Sequence, residues 1–123
     1  MSKYILRTKS IESPTNSSDG IRVCVMRRIK PEYKFDIWIP VLGPSAGLLK
    51  KYVIDKSIRW SEFKKIYIKQ LVRKQKFIKI ILQLLLESPV TLLCVEKKAL
   101  RCHRLLLANE CKKLRANLKI AHR

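Results

Sequence analysis

Short runs of apolar, β-branched residues alternate with longer stretches of mixed polarity along this chain. The runs Ile21 to Val25 and Val90 to Val95 are short and almost wholly apolar, which is typical of buried strands. Two weaker runs, Lys3 to Ile11 and Asn117 to His122, are predicted to add short strands near the two ends. The pattern therefore predicts a small sheet built around two buried strands.

The stretches between these strands show helical periodicity. Trp60, Phe63 and Tyr67 recur at spacings of three and four residues, with lysines elsewhere on the helical wheel. Ser45 and Ser57 are predicted to cap the first two helices. The predicted helices span Ala46 to Val53, Ile58 to Val72, Lys76 to Leu86 and Leu100 to Leu114.

The order of these elements predicts the fold class. Between Ile21–Val25 and Val90–Val95 the chain has room for several helices, and such a long crossover favours parallel pairing of the two strands. Just before the first helix, Pro40, Gly43 and Pro44 limit any regular element. We expect residues 1–123 to form a single three-layer α/β domain, a small and mostly parallel sheet with helices on both faces.

Charge changes the picture of the surface. Lysine and arginine total 28 against 9 acidic residues, a formal net charge of +19. Such a field attracts polyanions, so sequence-blind binding to nucleic acid is one interpretation and a merely solvated basic surface is the other. The lysines that could follow a phosphate backbone are Lys64, Lys65, Lys69, Lys74, Lys76 and Lys79.

The cysteines and the apolar runs bear on the cellular compartment of the protein. Its four cysteines lack a close-spaced metal-binding pattern, and its first ten residues lack the apolar stretch of a signal peptide. The run Ile80 to Leu86 is too short to cross a bilayer. We therefore expect a cytoplasmic chain with reduced thiols, without metal or other cofactor, and without a membrane partner.

Chemistry-bearing residues gather where the strand Val90 to Val95 gives way to the last helix. Because ligands bind at the carboxyl ends of parallel strands, and a helix start stabilises anions and thiolates, this turn is the predicted site. The candidate catalytic residues are Cys94, Glu96, Cys102 and His103, and the candidate anion-binding residues are Arg27, Arg101 and Arg104. Cys102 is expected to be the more reactive thiol, and Cys94 the shielded one.

Two other interpretations of the same turn stay open. Cysteine is among the most buried residue types, so Cys94 and Cys102 could serve only in packing, with His103 and Arg104 exposed. A metal site of Cys94, Cys102 and His103 is disfavoured, because the seven residues between the cysteines fit none of the usual zinc spacings.

Several segments, in order, resemble the domain-of-unknown-function family 488, the YeaO-like proteins. They are "GIRVCVMRR" (20–28), "DIWIPVLGPS" (36–45), "RWSEFKKIY" (59–67) and "SPVTLLCVEKKALRCHRLLLANE" (88–110). The resemblance implies a compact α/β domain and names no reaction. The chain departs from the family pattern after its first buried strand, where Met26-Arg27 and "IKPE" replace Asp-Arg and Trp-Pro-Arg-Gly.

Two classes of function follow. The first is a small enzyme or ligand-binding domain that takes an anionic small molecule or phosphate-bearing ligand at Cys94, Glu96, Cys102, His103 and Arg104, with Arg27 arriving from the first buried strand. The second is a basic, nucleic-acid-associated protein without catalysis. A convergent pocket around these side chains favours the first class, and a continuous lysine surface without a pocket favours the second.

Overall fold

Five parallel strands form one sheet in the computed structural model, which describes residues 4–95 and 103–122. The strands lie in the order β3-β2-β4-β1-β5, so β4 is central and has β2 and β1 as neighbours. Their bounds are β1 Leu6–Ser10, β2 Ile21–Cys24, β3 Ile37–Trp38, β4 Val90–Cys94 and β5 Ile120–His122. The predicted parallel pairing is confirmed, with Ile21 opposite Val90 and Cys24 opposite Leu93.

Four α-helices accompany the sheet in the described part of the chain. They are α1 Ala46–Leu49, which continues as a π-helical turn Lys50–Ile54, α2 Trp60–Val72, α3 Gln75–Leu84 and α4 His103–Leu114. Ser45 caps α1 as predicted, because its side chain accepts a hydrogen bond from the Leu48 N–H. The predicted Ser57 cap is wrong, since α2 starts after Arg59 and is capped through Glu62. None of the described helices has the length and apolar character needed to cross a membrane.

The main core lies between the sheet and helices α2 to α4. Alternate strand residues such as Leu6, Val23 and Leu92 point into it and are fully buried. From α2 they meet Phe63 and Tyr67, which belong to the apolar stripe that predicted this helix. The combination of a parallel sheet with these helices confirms the small α/β fold.

The opposite face of the sheet is covered by loops and one short 3-10 helix, Ser17–Asp19. A small apolar cluster lies here, with Cys24 and Leu93 from the sheet and Phe35 from the segment after β2. Beside it the Asp19 carboxylate, 1 % exposed, accepts hydrogen bonds from Lys9 and from Arg22. This face therefore combines apolar packing with a buried ion cluster.

Chain connectivity creates a crevice between two central strands. After β2 the chain passes over the face that holds Phe35 and then forms β3, outside β2. After β4 it returns through α4, on the opposite face, to β5 at the far edge. Where two adjacent parallel strands send their connections in opposite directions, a ligand crevice opens at their carboxyl ends. The fold thus places a crevice beyond Cys24 and Cys94.

Candidate functional site

A pocket of about 390 Å³ lies at the carboxyl ends of β2 and β4. Its walls come from the segment after β2, from α1 with its π-helical extension, from the end of β4 and from the start of α4. The lining residues are Met26, Arg27, Arg28, Pro44, Ala46, Leu49, Lys50, Val53, Ile54, Cys94, Val95 and His103. The crevice that the topology implies is therefore a real cavity, large enough for a small organic molecule.

Cys94 lies in the pocket wall as the last residue of β4 and is 1 % exposed. It is disulfide-bonded, whereas Cys24 and Cys111 are free thiols. The expectation that all thiols are reduced is therefore wrong for Cys94. Its expected shielding by the strand is present, as its low exposure shows.

Arg104 lies behind Cys94 and is completely buried. Its Nη1 group donates a hydrogen bond to Cys94 Sγ over 3.0 Å. A guanidinium stays charged in proteins, so a permanent positive charge lies against this sulfur. Arg104 is not among the described residues that line the pocket, and its role in anion binding stays a prediction. Its described partner is the cysteine.

His103 faces the pocket from the first position of α4. Its Nε2 lies 2.9 Å from the Val25 carbonyl oxygen, which can only accept, so Nε2 carries the proton. Tyr67 packs edge-on against the ring, with 5.7 Å between centroids. Burial, with a smaller contribution from the nearby Arg104, lowers the pKa of His103 to about 4, although the Val25 hydrogen bond acts in the opposite direction. The imidazole is therefore neutral at pH 7 and leaves Nδ1 as an acceptor.

The other polar side chains of the pocket wall are cationic. Arg27 donates through Nε to the Pro44 carbonyl over 3.0 Å and through Nη2 to the Gly43 carbonyl over 3.3 Å. These bonds hold the loop before α1 against the end of β2. Arg28 and Lys50 contribute two more positive charges, and no aspartate or glutamate occurs among the described lining residues. The pocket therefore favours negative charge.

The rest of the wall is apolar and partly unshielded from solvent. Val53 and Ile54 line the pocket from the π-helical turn and are 58 % and 73 % exposed. Covering these exposed apolar side chains would remove apolar surface from water, which is energetically favourable. A ligand with an apolar part would do so.

The structure brings together part of the predicted site. Arg27 lines one pocket with Cys94 and His103 although it is far from both in sequence, and Arg104 contacts Cys94 from behind. The candidates Glu96, Arg101 and Cys102 lie outside the described residues. Sequence reasoning missed Arg28 and Lys50 as parts of the wall. The only signal for Arg28 was its place just after a buried strand, and for Lys50 its place on the predicted first helix.

No grouping suited to a metal ion occurs in the described part of the chain, where no three His, Cys, Asp or Glu side chains converge. Cys94 and His103 are two of the three ligands considered for a cysteine–histidine metal site. Cys94 instead contacts Arg104, and His103 bonds the Val25 carbonyl. The described geometry gives a metal site no support.

Comparison with known proteins identifies the family. Residues 6–114 match the family model DUF488-N3a, described as the active DUF488-N3 subclade. No curated protein and no solved structure matches the chain significantly. The matched range contains β1 to β4, all four helices and every described residue that lines the pocket. The chain therefore belongs to the domain-of-unknown-function family 488, as a member of its DUF488-N3a subclade.

Proposed function

We propose that this protein is a small enzyme or ligand-binding domain that takes an anionic ligand, phosphate-like in charge and with an apolar portion, in the pocket beyond β2 and β4. The observation that carries the proposal is the convergence of Arg27, Cys94 and His103 on one cavity at the crevice of the sheet. The description of the matched subclade as active agrees with a chemical role.

The pocket wall supports both halves of this ligand. Three cationic side chains without a lining carboxylate favour a negative group, and Arg28 and Arg27 carry the planar donors suited to phosphate or carboxylate. Leu49, Val53 and Ile54 offer apolar surface for the remainder. A free inorganic ion would use only the first half, so the proposed ligand is an organic anion.

A chemical step at this site would begin at Cys94 in its reduced form. The thiolate is the nucleophilic form of cysteine, and the Arg104 guanidinium, 3.0 Å from the sulfur, stabilises negative charge there. His103 is neutral, so Nδ1 can accept a proton but the ring cannot supply a positive charge at pH 7. Cys94 is thus the proposed nucleophile and His103 the proposed proton acceptor. Glu96 and Cys102 keep their proposed catalytic roles, and Arg101 its proposed role in anion binding.

Phenyl phosphate is expected to slow the alkylation of reduced Cys94 by iodoacetamide, and to do so at lower concentration than either inorganic phosphate or phenol. The reason is that only phenyl phosphate satisfies the cationic and the apolar wall together. Alkylation of Cys94 in the reduced protein is followed by peptide mass spectrometry. Arg28→Gln should weaken the protection about tenfold or more, since a charged hydrogen bond contributes roughly 1.5–3 kcal/mol.

Arg73→Gln is the matched control, because Arg73 is exposed and outside the pocket wall and its loss removes the same charge. It should leave protection unchanged. Equal protection by phenol and phenyl phosphate would show that charge is irrelevant and would overturn the anionic part of the proposal. No protection by any of the three compounds would overturn the binding site itself.

A second candidate function, non-specific association with nucleic acid, has one observation in its favour. Exposed cations are concentrated on α2, α3 and the turn between them: Lys64, Lys65, Lys69, Arg73, Lys76 and Lys79. Lys74, which sequence reasoning included, belongs elsewhere, because its Nζ donates to the Val41 carbonyl over 2.8 Å. Burial, together with Arg27, lowers the pKa of Lys74. This lysine holds the α2–α3 turn rather than a phosphate backbone.

Binding to a fluorescent DNA duplex of arbitrary sequence is expected at low salt and should weaken at least about tenfold between 50 and 200 mM salt through counterion release. Fluorescence anisotropy measures it. Replacing Lys65, Lys69 and Lys76 by glutamine should weaken binding at 50 mM salt, whereas replacing Lys112, Lys113 and Lys119 should not. Undetectable binding at 50 mM salt would remove this candidate, and an equal effect of the two triple variants would remove the α2–α3 surface from it.

A further inference from the structure

We propose that the apolar portion of the ligand is an aliphatic chain, so that the pocket beyond β2 and β4 takes an anionic amphiphile such as an alkyl phosphate. This inference rests on the proposed function, because it names the class of the organic anion proposed there. It starts from three features of one cavity: the chemistry of its apolar wall, the exposure of its rim and the charges beside that rim.

The apolar part of the wall is aliphatic. Its members are Met26, Pro44, Ala46, Leu49, Val53, Ile54 and Val95. Among the described lining residues there is no phenylalanine, tyrosine or tryptophan, and the His103 ring already packs against Tyr67. Planar groups such as nucleobases are usually bound by stacking on aromatic side chains. A flexible chain needs no such partner, because it binds through the apolar area that it removes from water.

The rim of the pocket is shaped by the anchoring of Tyr52. The ring of Tyr52 packs against Trp60 and Phe63 of α2, with centroid distances of 5.9 and 4.7 Å. This contact fixes the π-helical turn, and the two residues that follow, Val53 and Ile54, line the pocket. Since π-helical turns are rare and occur frequently at functional sites, the irregular turn itself supports a binding role.

The exposed apolar side chains of the rim form a group. Val53 and Ile54, 58 % and 73 % exposed, are the two most exposed large apolar residues in the described part of the chain. Val95, at the end of β4, is also exposed and lines the same pocket. Single exposed apolar residues are ordinary, whereas a group of them around one cavity marks a binding surface. An aliphatic chain laid over these three side chains would cover them.

Positive charge lies directly beside this apolar rim. Lys50 lies three and four positions before Val53 and Ile54, and residues at these spacings are neighbours on a helical surface. All three line the pocket, together with the two arginines that follow β2. Asp55, exposed at the end of the turn, is not among the described lining residues. Adjacent parts of one wall thus suit a negative head and an apolar chain, as an amphiphile requires.

The length of the alkyl chain is the variable that tests this inference. Isothermal titration calorimetry measures the Kd of ethyl, butyl and hexyl phosphate for full-length protein purified without reductant. The three compounds share one head group, so they differ in apolar area alone. Affinity should rise about threefold for each added CH₂ group, as expected when most of the chain leaves water. The heat-capacity change of binding should become more negative along the series.

Hexyl phosphate should also bind more tightly than phenyl phosphate, which has the same number of carbon atoms and the same head. The reason is that a flexible chain can follow the rim, whereas a ring finds no aromatic partner among the described lining residues. Tighter binding of phenyl phosphate would overturn the preference for an aliphatic chain.

Two double variants locate the chain. Val53→Thr with Ile54→Thr should weaken the binding of hexyl phosphate about tenfold, because the chain loses its apolar partners, and should leave ethyl phosphate unchanged. Val72→Thr with Ile80→Thr is the matched control, since these two residues are exposed and lie outside the pocket wall. It should change neither affinity. Equal affinity of the wild type for ethyl and hexyl phosphate overturns the aliphatic chain, and an equal loss in the two double variants overturns its place on the rim.

Failure of this inference and failure of the proposed function are separable. Affinity that does not rise with chain length, while phenyl phosphate still protects Cys94, removes the aliphatic chain and keeps the proposed function. The corresponding uncharged alcohols give the reverse test. If they bind as tightly as the alkyl phosphates, the chain is kept and the anionic part of the proposed function is removed.

An anionic amphiphile can reach the pocket free in solution or as a lipid of a membrane. Cosedimentation with vesicles of phosphatidylglycerol and phosphatidylcholine distinguishes the two sources. Because we expect no membrane partner, the wild type and both double variants should pellet equally, through general charge attraction, which assigns the pocket to the free amphiphile. Pelleting that falls in Val53→Thr with Ile54→Thr, and not in the control, would assign it to a membrane lipid.

Discussion

Replacing Asp19 by alanine is expected to lower the free energy of unfolding by about 3–5 kcal/mol, because removal of one partner leaves buried charges uncompensated. The Asp19 carboxylate is 1 % exposed and lies 3.0 Å from the Lys9 ammonium. Arg22, also buried, bonds the same carboxylate and donates further to the Lys34 carbonyl. Without Asp19, two cations would face each other in a site closed to water.

The Asp19 cluster matters for the pocket because it holds β2 and its neighbours together. Lys9 comes from β1 and Arg22 from β2, and the Thr91 hydroxyl of β4 donates to the Asp19 carbonyl over 2.7 Å. The variant should therefore unfold earlier and also lose order at the crevice between β2 and β4. Urea denaturation followed by circular dichroism measures the free energy.

Asp55→Ala is the matched control for this experiment. Asp55 is exposed at the end of the π-helical turn, so its removal should change the free energy of unfolding by less than about 0.5 kcal/mol. A loss for Asp19→Ala as small as that of the control would mean that water or a movement of the loop 12–20 compensates Lys9 and Arg22. The cluster would then be no more than a surface ion pair in energy.

Elements of the fold could be predicted from sequence where their own residue pattern stabilises them, and not where contacts with distant parts of the chain do. The strands β2 and β4 are short, buried and mostly apolar and could be recognised locally, and so could the amphipathic stripe of α2. The strand Ile37–Trp38 was missed, because it has only two residues, Pro40 follows one residue after it, and its pairing depends on β2 rather than on its own composition. The covering of the second face by loops was also unpredictable, since it rests on the Asp19 cluster.

The candidate site was predictable in place but not in detail. That Cys94 ends a buried strand and that Arg27 follows another one are local facts, and the parallel order of the strands brings both to one edge of the sheet. The direction in which a side chain points from a helix, by contrast, depends on tertiary contacts and not on the neighbouring sequence. Arg104 turns inward to Cys94 and His103 bonds the Val25 carbonyl, although a basic pair at a helix start ordinarily faces solvent. The contact between Arg104 and the Cys94 sulfur therefore could not be predicted from sequence alone.

Acidification from pH 6.5 to pH 4 is expected to lower the free energy of unfolding by about 2–3 kcal/mol through His103 alone. Burial, with Arg104 nearby, lowers the pKa of this imidazole from 6.5 to about 4 in the folded chain, whereas the unfolded chain has the ordinary value. Between these two pH values the unfolded state binds the extra proton, so stability falls as pH falls through this window. The contribution levels off about one pH unit above 6.5 and about one pH unit below 4.

Two other groups, Asp19 and His122, also contribute to the pH dependence of stability and must be distinguished from His103. Burial raises the pKa of Asp19, but hydrogen bonds from the Asn16 backbone, Lys9 and Arg22 outweigh it and lower the pKa from 3.8, so the loss of stability through Asp19 falls mainly below this window. His122 titrates in the same direction, since burial and Arg104 lower its pKa as well. It is exposed, however, and its described contact is a hydrogen bond between Nδ1 and the Thr8 hydroxyl.

Urea denaturation at pH 7, 6, 5 and 4 of wild type, His103→Gln and His122→Gln resolves the two histidines. In His103→Gln the new side-chain amide could still donate to the Val25 carbonyl but cannot take up a proton, so this variant should lose most of the stability difference between pH 6.5 and pH 4. His122→Gln should keep most of it. The proposed chemistry uses His103 as a neutral ring, so the same variants also test the mechanism. If the free energy of unfolding depends on pH in His103→Gln as it does in the wild type, His103 is protonated in the folded protein near its ordinary pKa. It would then be a cation in the pocket at mildly acidic pH and no proton acceptor for Cys94, and its bond to the Val25 carbonyl would serve only to hold the start of α4.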